Sequence, residues 1–134
     1  VLFSGFAFAQ QTPILRLDTG GHVAIINDIV VHPSGRYFIT GSDDKTIRVW
    51  RVERKGQSFR VREERKILGQ IGDGPEGKTY AIALSPDARF LAVGGYMERD
   101  YIRLYDFSTG KLLRVLKGHE NVVFDLSFSE NGRY

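Results

Sequence analysis

Apolar side chains in this chain come in short runs, cut by polar turns rich in Gly, Pro, Asp and Ser. Ile25–Val31 is one such run, and the turn His32-Pro33-Ser34-Gly35-Arg36 ends it. Tyr37–Thr40 follows, then the turn Gly41-Ser42-Asp43-Asp44-Lys45, then Thr46–Arg51. Runs rich in β-branched and aromatic residues, bounded by such turns, predict strands. The same succession returns as Tyr80–Leu84, the turn Ser85-Pro86-Asp87-Ala88-Arg89, Phe90–Val93, Tyr101–Phe107, the turn Ser108-Thr109-Gly110-Lys111, and Leu112–Leu116. A third round opens at Gly118-His119, with Val122–Phe128 and the turn Ser129-Glu130-Asn131-Gly132-Arg133. No stretch reads as a convincing helix, so the predicted class is all-β.

The spacing makes this a repeat. His22 precedes Pro33 by 11 residues, and His119 precedes Glu130, the equivalent turn position, by the same 11. Pro33 to Pro86 is 53 residues and Pro86 to Glu130 is 44. A period of roughly 40–45 with Gly-His at one end and an aromatic strand at the other is the signature of propeller blades. From about Thr12 onward the chain therefore resembles the WD-repeat (WD40) β-propeller family. Gly-His, Ser-Pro-Asp and Asp-Lys-Thr-Ile-Arg-Val-Trp carry the resemblance together. It implies a partial propeller: blade one about 22–68, blade two about 75–116, and the start of a third blade at 118–134. Closed propellers have typically four to eight blades, so the chain is expected to be a fragment whose partners include the remaining blades of the same protein.

The resemblance also implies a structural network in each blade. Carried over, its members are His22, Thr40, Asp44 and Trp50, with His119 beginning the equivalent set of blade three. Trp has one N–H donor on a large apolar body, and a hydroxyl can accept it and pass a donor on to the imidazole. Blade two departs from this pattern. Pro75 stands at the His position, Tyr105 replaces Trp, and the turn around Met97-Glu98-Arg99 is longer, so its network is expected to be missing. Partners in such propellers meet the top rim, which by register is Ile25, Asn27, Asp43, Lys78, Tyr80, Val122 and Phe124. Packing of Ile25, Tyr80, Val122 and Phe124 against the next blade is an equally good reading of those residues.

Composition changes this picture little. The 134 residues contain no cysteine, which excludes disulfides and thiolate sites within them. The net charge of +3 is concentrated in Arg51–Lys66, where seven basic residues face three acidic ones. That segment is an insertion, expected to form a charged hairpin or loop on the blade rim, solvated rather than a broad nucleic-acid face. Residues 1–9 are apolar and small, and Ala7-Phe8-Ala9 fits a secretory cleavage site. They read as a signal-peptide remnant, which implies a secreted or periplasmic protein. A buried strand of a preceding blade is the alternative and leaves the protein cytoplasmic. The run is too short to span a membrane. Ile14-Leu15-Arg16-Leu17 reads as an outer strand that closes the ring.

Gly72–Thr79 matches the phosphate-loop pattern G-x-x-x-x-G-K-[ST], which needs a strand before it and a helix after. Tyr80–Leu84 is followed at once by Ser85-Pro86, which leaves no room for that helix. Nucleotide binding is therefore the weakest reading. His22, His32 and His119 have no metal spacing. No catalytic residue, cofactor or metal site is expected. The reading is a non-enzymatic protein-interaction scaffold. Its Ser-Pro-Asp-rich, degenerate repeats are similar to bacterial WD-repeat proteins, some of which carry a caspase-like peptidase domain, so a regulatory propeller of such a protein is the alternative.

Overall fold

The computed structural model describes residues 20–70, 72–96 and 102–134. The expected signal remnant at 1–9, the strand Ile14–Leu17 and the turn Met97-Glu98-Arg99 lie outside the described residues. Eight strands form two antiparallel sheets. The first holds β1 (Ile26–Val31), β2 (Tyr37–Ser42), β3 (Thr46–Lys55) and β4 (Ser58–Leu68), in that order. The second holds β5 (Lys78–Leu84), β6 (Phe90–Tyr96), β7 (Ile102–Asp106) and β8 (Leu112–Leu116), also in order. Each is a simple meander, in which strands adjacent in sequence are adjacent in the sheet.

The turns explain the meander. His32 N–H donates to Tyr37 O at 2.9 Å, and Gly35 N–H donates to His32 O at 2.8 Å. Ser85/Phe90 and Ala88/Ser85 repeat this pair of bonds, and Ser129/Tyr134 and Gly132/Ser129 repeat it again. The fourth position of each turn is left-handed, with φ of 67° at Gly35, 56° at Ala88 and 66° at Gly132. Only glycine adopts that region without cost.

The sheets pack face to face. Ile39, Ile47, Val49 and Ile67 from the first meet Ile82, Leu91, Val93, Tyr105 and Phe107 from the second. β5 is the strand that meets the first sheet, against β1, β2 and β3. Gly41 permits the closest approach. A Cβ there would lie 2.6 Å from Thr79 Cγ2 and 3.2 Å from Ile82 Cγ2.

Two expectations change in detail. The charged insertion lengthens β3 and β4 themselves: β3 runs four residues past Arg51, the last residue paired with β2, and turns at Gly56-Gln57. Val122–Phe128, expected as strand a of blade three, takes no ladder partner among the described residues. A strand is defined by its neighbour, and here only Val123 N–H reaches the second sheet, at 3.3 Å from Gly95 O. Val123 is nonetheless buried.

Candidate functional site

Two groups of side chains answer to the sequence-derived candidates. One lies inside the first sheet, and the other runs along one edge of the two-sheet stack.

The inner group is continuous. Trp50 Nε1–H donates to Thr40 Oγ1 at 2.8 Å. Thr40 Oγ1 lies 2.6 Å from His22 Nε2, and His22 Nδ1 lies 2.9 Å from Asp44 Oδ2. The Thr40 hydroxyl accepts from Trp50, so its own proton points to His22 Nε2. That leaves the His22 proton on Nδ1, which donates to the carboxylate. Asp44 then organises the β2–β3 turn: its Oδ1 accepts from Thr46 N–H at 2.9 Å and from Thr46 Oγ1 at 2.5 Å, and its Oδ2 from Val23 N–H at 3.2 Å. The side chains of His22 and Asp44 are only 2% and 1% exposed. Burial alone would raise the Asp44 pKa, but hydrogen bonds from Thr46, His22 and Val23 outweigh it and hold the carboxyl below its ordinary range. Every group is either a donor or an acceptor in sequence, so the chain is satisfied from ring to carboxylate.

Blade two cannot build this. Pro75 has no ring nitrogen to share, Val93 stands where Thr40 does and has no hydroxyl, and Tyr105 turns into the apolar core. His119 of the third repeat is exposed.

The outer group begins with two bulges. β1 skips pairing at Asn27, between Ile26 and Asp28, and β5 does the same at Tyr80, between Thr79 and Ala81. A bulge re-aims the extra side chain. Asn27 Nδ2 donates to Asp43 Oδ1 at 2.7 Å and to Thr79 O at 2.9 Å. Lys78 Nζ donates to Asp43 Oδ2 at 2.6 Å. The bond from Lys78 lowers the Asp43 pKa, and the same bond raises that of Lys78. Asn27, Asp43 and Lys78 therefore tie one blade edge to the next. Tyr80 stacks on Phe124, with centroids 5.6 Å apart and planes 11° from parallel. Phe124 is 74% exposed and Ile25 69%, while Val122 is half-buried. The seven rim candidates thus fall into an ion-paired cluster, an aromatic stack and flanking aliphatics.

Some seam residues had no signal in the sequence. Asp28 Oδ2 accepts from Ile82 N–H at 2.8 Å, across the two sheets. Arg65 donates from Nη1 to Phe107 O and from Nη2 to Ser108 O, the latter at 2.8 Å. Thr46 could have been found, because Asp-x-Thr is an Asx-turn pattern.

The phosphate-loop stretch is not a nucleotide cradle. Lys78 and Thr79 open β5 rather than a helix, Thr79 is fully buried, and the Lys78 ammonium is engaged by Asp43. Among the described residues, no group of His, Asp and Glu has metal-holding geometry, and no helix is long and apolar enough to cross a membrane.

Comparison with known proteins agrees with this architecture. A family profile described as "WD domain, G-beta repeat" matches residues 12–51 and 110–134. The chain is 32% identical over 73 residues to a ribosome biogenesis protein BOP1 homolog of Drosophila willistoni, covering 54% of this chain and 9% of that protein. It is 24% identical over 142 residues to apoptotic protease-activating factor 1 of Mus musculus, covering 87% of this chain and 11% of that one. It spans about a tenth of the length of these relatives, which are animal proteins and lend no weight to a bacterial source. Among solved structures, U3-55K superposes with a TM-score of 0.67 at 26% identity, over 81% of this chain and 31% of its own. The WD40 repeats of RRP9 give the same score and identity.

Proposed function

On the premise that this chain is built of WD repeats of the β-propeller family, we propose that it serves as a non-enzymatic scaffold that binds protein partners along the blade rim. The observation that carries the reading is the row made by one repeat position. Asn27, Tyr80 and Phe124 each stand six residues before Pro33, Pro86 and Glu130. Two of them sit at bulges, and the last two form an aromatic stack, half-buried at Tyr80 and exposed at Phe124, beside the Lys78–Asp43 pair. Aromatic anchors ringed by polar groups suit protein recognition. The seam beneath is held by packing and hydrogen bonds, so the row is presented without an ordering cost at binding.

The test is affinity capture with the full-length protein, wild type against Tyr80→Ser/Phe124→Ser. Loss of specific partners from a variant with unchanged circular dichroism is expected. An identical partner set would remove the rim from the proposal.

A second reading is regulatory. A relative that aligns over most of this chain is named a protease-activating factor, which favours a propeller that regulates a protease; a caspase-like peptidase domain in the same protein is one form of that reading. Sequencing the whole gene decides it: a caspase-like domain in frame supports the reading, and none refutes it.

A further inference from the structure

The distal half of the β3–β4 hairpin is not needed by the blade. Strand β2 pairs with β3 only from Gly41 opposite Ile47 to Tyr37 opposite Arg51. Beyond that, apart from one bond from Val52 N–H to Arg36 O at 2.8 Å, Val52–Lys55 and Ser58–Val61 pair among the described residues only with each other, as a two-stranded arm. The corresponding strands of blade two, β7 and β8, are five residues each and form no such arm. A two-stranded ribbon alone is marginal in water, so its side chains must justify it.

Directly opposed residues point to the same face of a ribbon. One face of the arm therefore carries Val52 with Val61 and Arg54 with Phe59. Phe59 is 68% exposed and Val61 50%. With Gly35 and Arg36 of the neighbouring turn, Arg51, Val52, Glu53, Arg54 and Phe59 border an open groove of about 480 Å³, in which the one carboxylate, Glu53, is engaged by arginines. The other face holds an ion-pair network: Glu53 lies 3.6 Å from Arg51 and 3.3 Å from Arg62, and Glu64 lies 3.7 and 3.8 Å from the same two. Glu53 and Glu64 are thus both engaged by arginines, and Glu63 is engaged by Arg48. Among the described residues, no carboxylate comes within ion-pair distance of Arg36, Arg54, Lys55 or Arg60. Arginines and lysines on an edge strand would suffice to keep it from aggregating. They do not account for an exposed phenylalanine and valine set between them.

We propose that the β3–β4 arm is a docking ribbon, separate from the rim, for an acidic segment of a protein partner that carries an aliphatic or aromatic side chain. Its acidic groups meet Arg36 and Arg54, and its apolar side chain covers Phe59, Val52 and Val61. The outer edge of β4, which pairs only with β3 among the described residues, lets an extended segment add main-chain hydrogen bonds. The apolar face favours a protein over a nucleic acid, because a phosphate backbone gains nothing from burying valine and phenylalanine.

The test uses the full-length protein and an array of 12-residue synthetic peptides, each with about six Asp or Glu and one Leu, Ile, Phe or Trp. The controls are the same peptides with Lys for the acids, the same peptides with Ser for the apolar residue, and a single-stranded RNA of similar length. Binding of the acidic apolar peptides is expected to weaken at least about tenfold in Arg36→Glu/Arg54→Glu and in Phe59→Ser. Binding should weaken as salt rises from about 0.05 to about 0.5 M and be unchanged in Tyr80→Ser/Phe124→Ser. The proposal is overturned by an array with no binder that the arm variants weaken, by equal binding of the Ser-substituted peptides, or by tighter binding of RNA. These outcomes leave the rim reading untouched, since its own test uses a different surface.

Discussion

Thr40→Val tests whether the hydrogen-bonded chain inside blade one holds the blade. Valine keeps the shape of threonine, so the substitution opens no cavity and removes only Oγ1. Thr40 is 2% exposed, and its oxygen serves both Trp50 Nε1 and His22 Nε2, at 2.8 and 2.6 Å. Losing two bonds costs about 1 kcal/mol each. The orphaned partners then differ. Trp50 is half-buried and its N–H can turn to water, whereas the His22 side chain is 2% exposed and its Nε2 stays dry. A buried polar group without a partner costs about 1–3 kcal/mol more. The total is about 3–5 kcal/mol, against about 1–1.5 kcal/mol for Trp50→Phe, which removes one donor and leaves Thr40 bonded to His22. Urea unfolding followed by far-UV circular dichroism measures both, and the double variant closes a cycle. A coupling of about 1 kcal/mol between Thr40 and Trp50 is expected. A cost for Thr40→Val under about 0.5 kcal/mol, or strict additivity, would refute the chain as a unit.

Gly41→Ala should destabilise the seam by about 1–3 kcal/mol, because the new Cβ meets Thr79 Cγ2 at 2.6 Å; Thr79→Ser, which lacks that methyl, should restore most of the melting temperature. Ala88→Gly should stabilise by about 1 kcal/mol, since Ala88 sits at φ 56° where glycine bears no steric cost; a lower melting temperature would show that the turn is not strained. Asp44 has a lowered folded pKa, so its contribution is complete above the unfolded value of about 3.9 and fades as pH falls through the lower folded value. Wild type should therefore lose more stability than Asp44→Asn as pH falls below about 4, although the variant is the less stable of the two at pH 7; parallel pH profiles would contradict this.

How much was legible in the sequence depended on whether the signal was local. Strand identity was, because each run of Val, Ile, Tyr and Phe is bounded by its own turn, and Leu112–Leu116 matches β8 end to end. The members of the inner network were legible through the resemblance, which fixed the partners of His22 before any distance was known. The bulges were not. Asn27 and Tyr80 differ in every chemical respect, and what they share is a lost pairing, which only the register of β1 on β2 and of β5 on β6 reveals. Asp28 and Arg65 were hidden for a related reason. Each bonds to main-chain atoms of the other sheet, at Ile82, Phe107 and Ser108, and a backbone acceptor leaves no trace in residue type. The insertion was visible as a run of charge, but its lone Phe59 gained meaning only once pairing with Arg54 set both on one face.

Blade two shows why the inner network is kept whole or given up whole. A buried donor or acceptor stripped of its partner costs more than the bond itself contributed, whereas replacing both partners by apolar groups can be nearly neutral. At the three positions that can be compared, blade two has changed all the polar members together: Pro75 for His22, Val93 for Thr40 and Tyr105 for Trp50. Val93 and Tyr105 are then free to face apolar neighbours, and both join the cluster with Leu91, Phe107 and Ile82. Had Val93 replaced a hydroxyl beneath a retained His and Trp, the imidazole nitrogen would have been left dry inside the sheet and the indole N–H without its partner. Blade one gains a turn locked by Asp44 at the edge where Asp43 must meet Lys78. Blade two holds the other half of that edge through Gly77 N–H, which donates to Tyr96 O at 2.7 Å. The two blades therefore present one rim, joined by Asn27, Asp43 and Lys78, on two different internal chemistries.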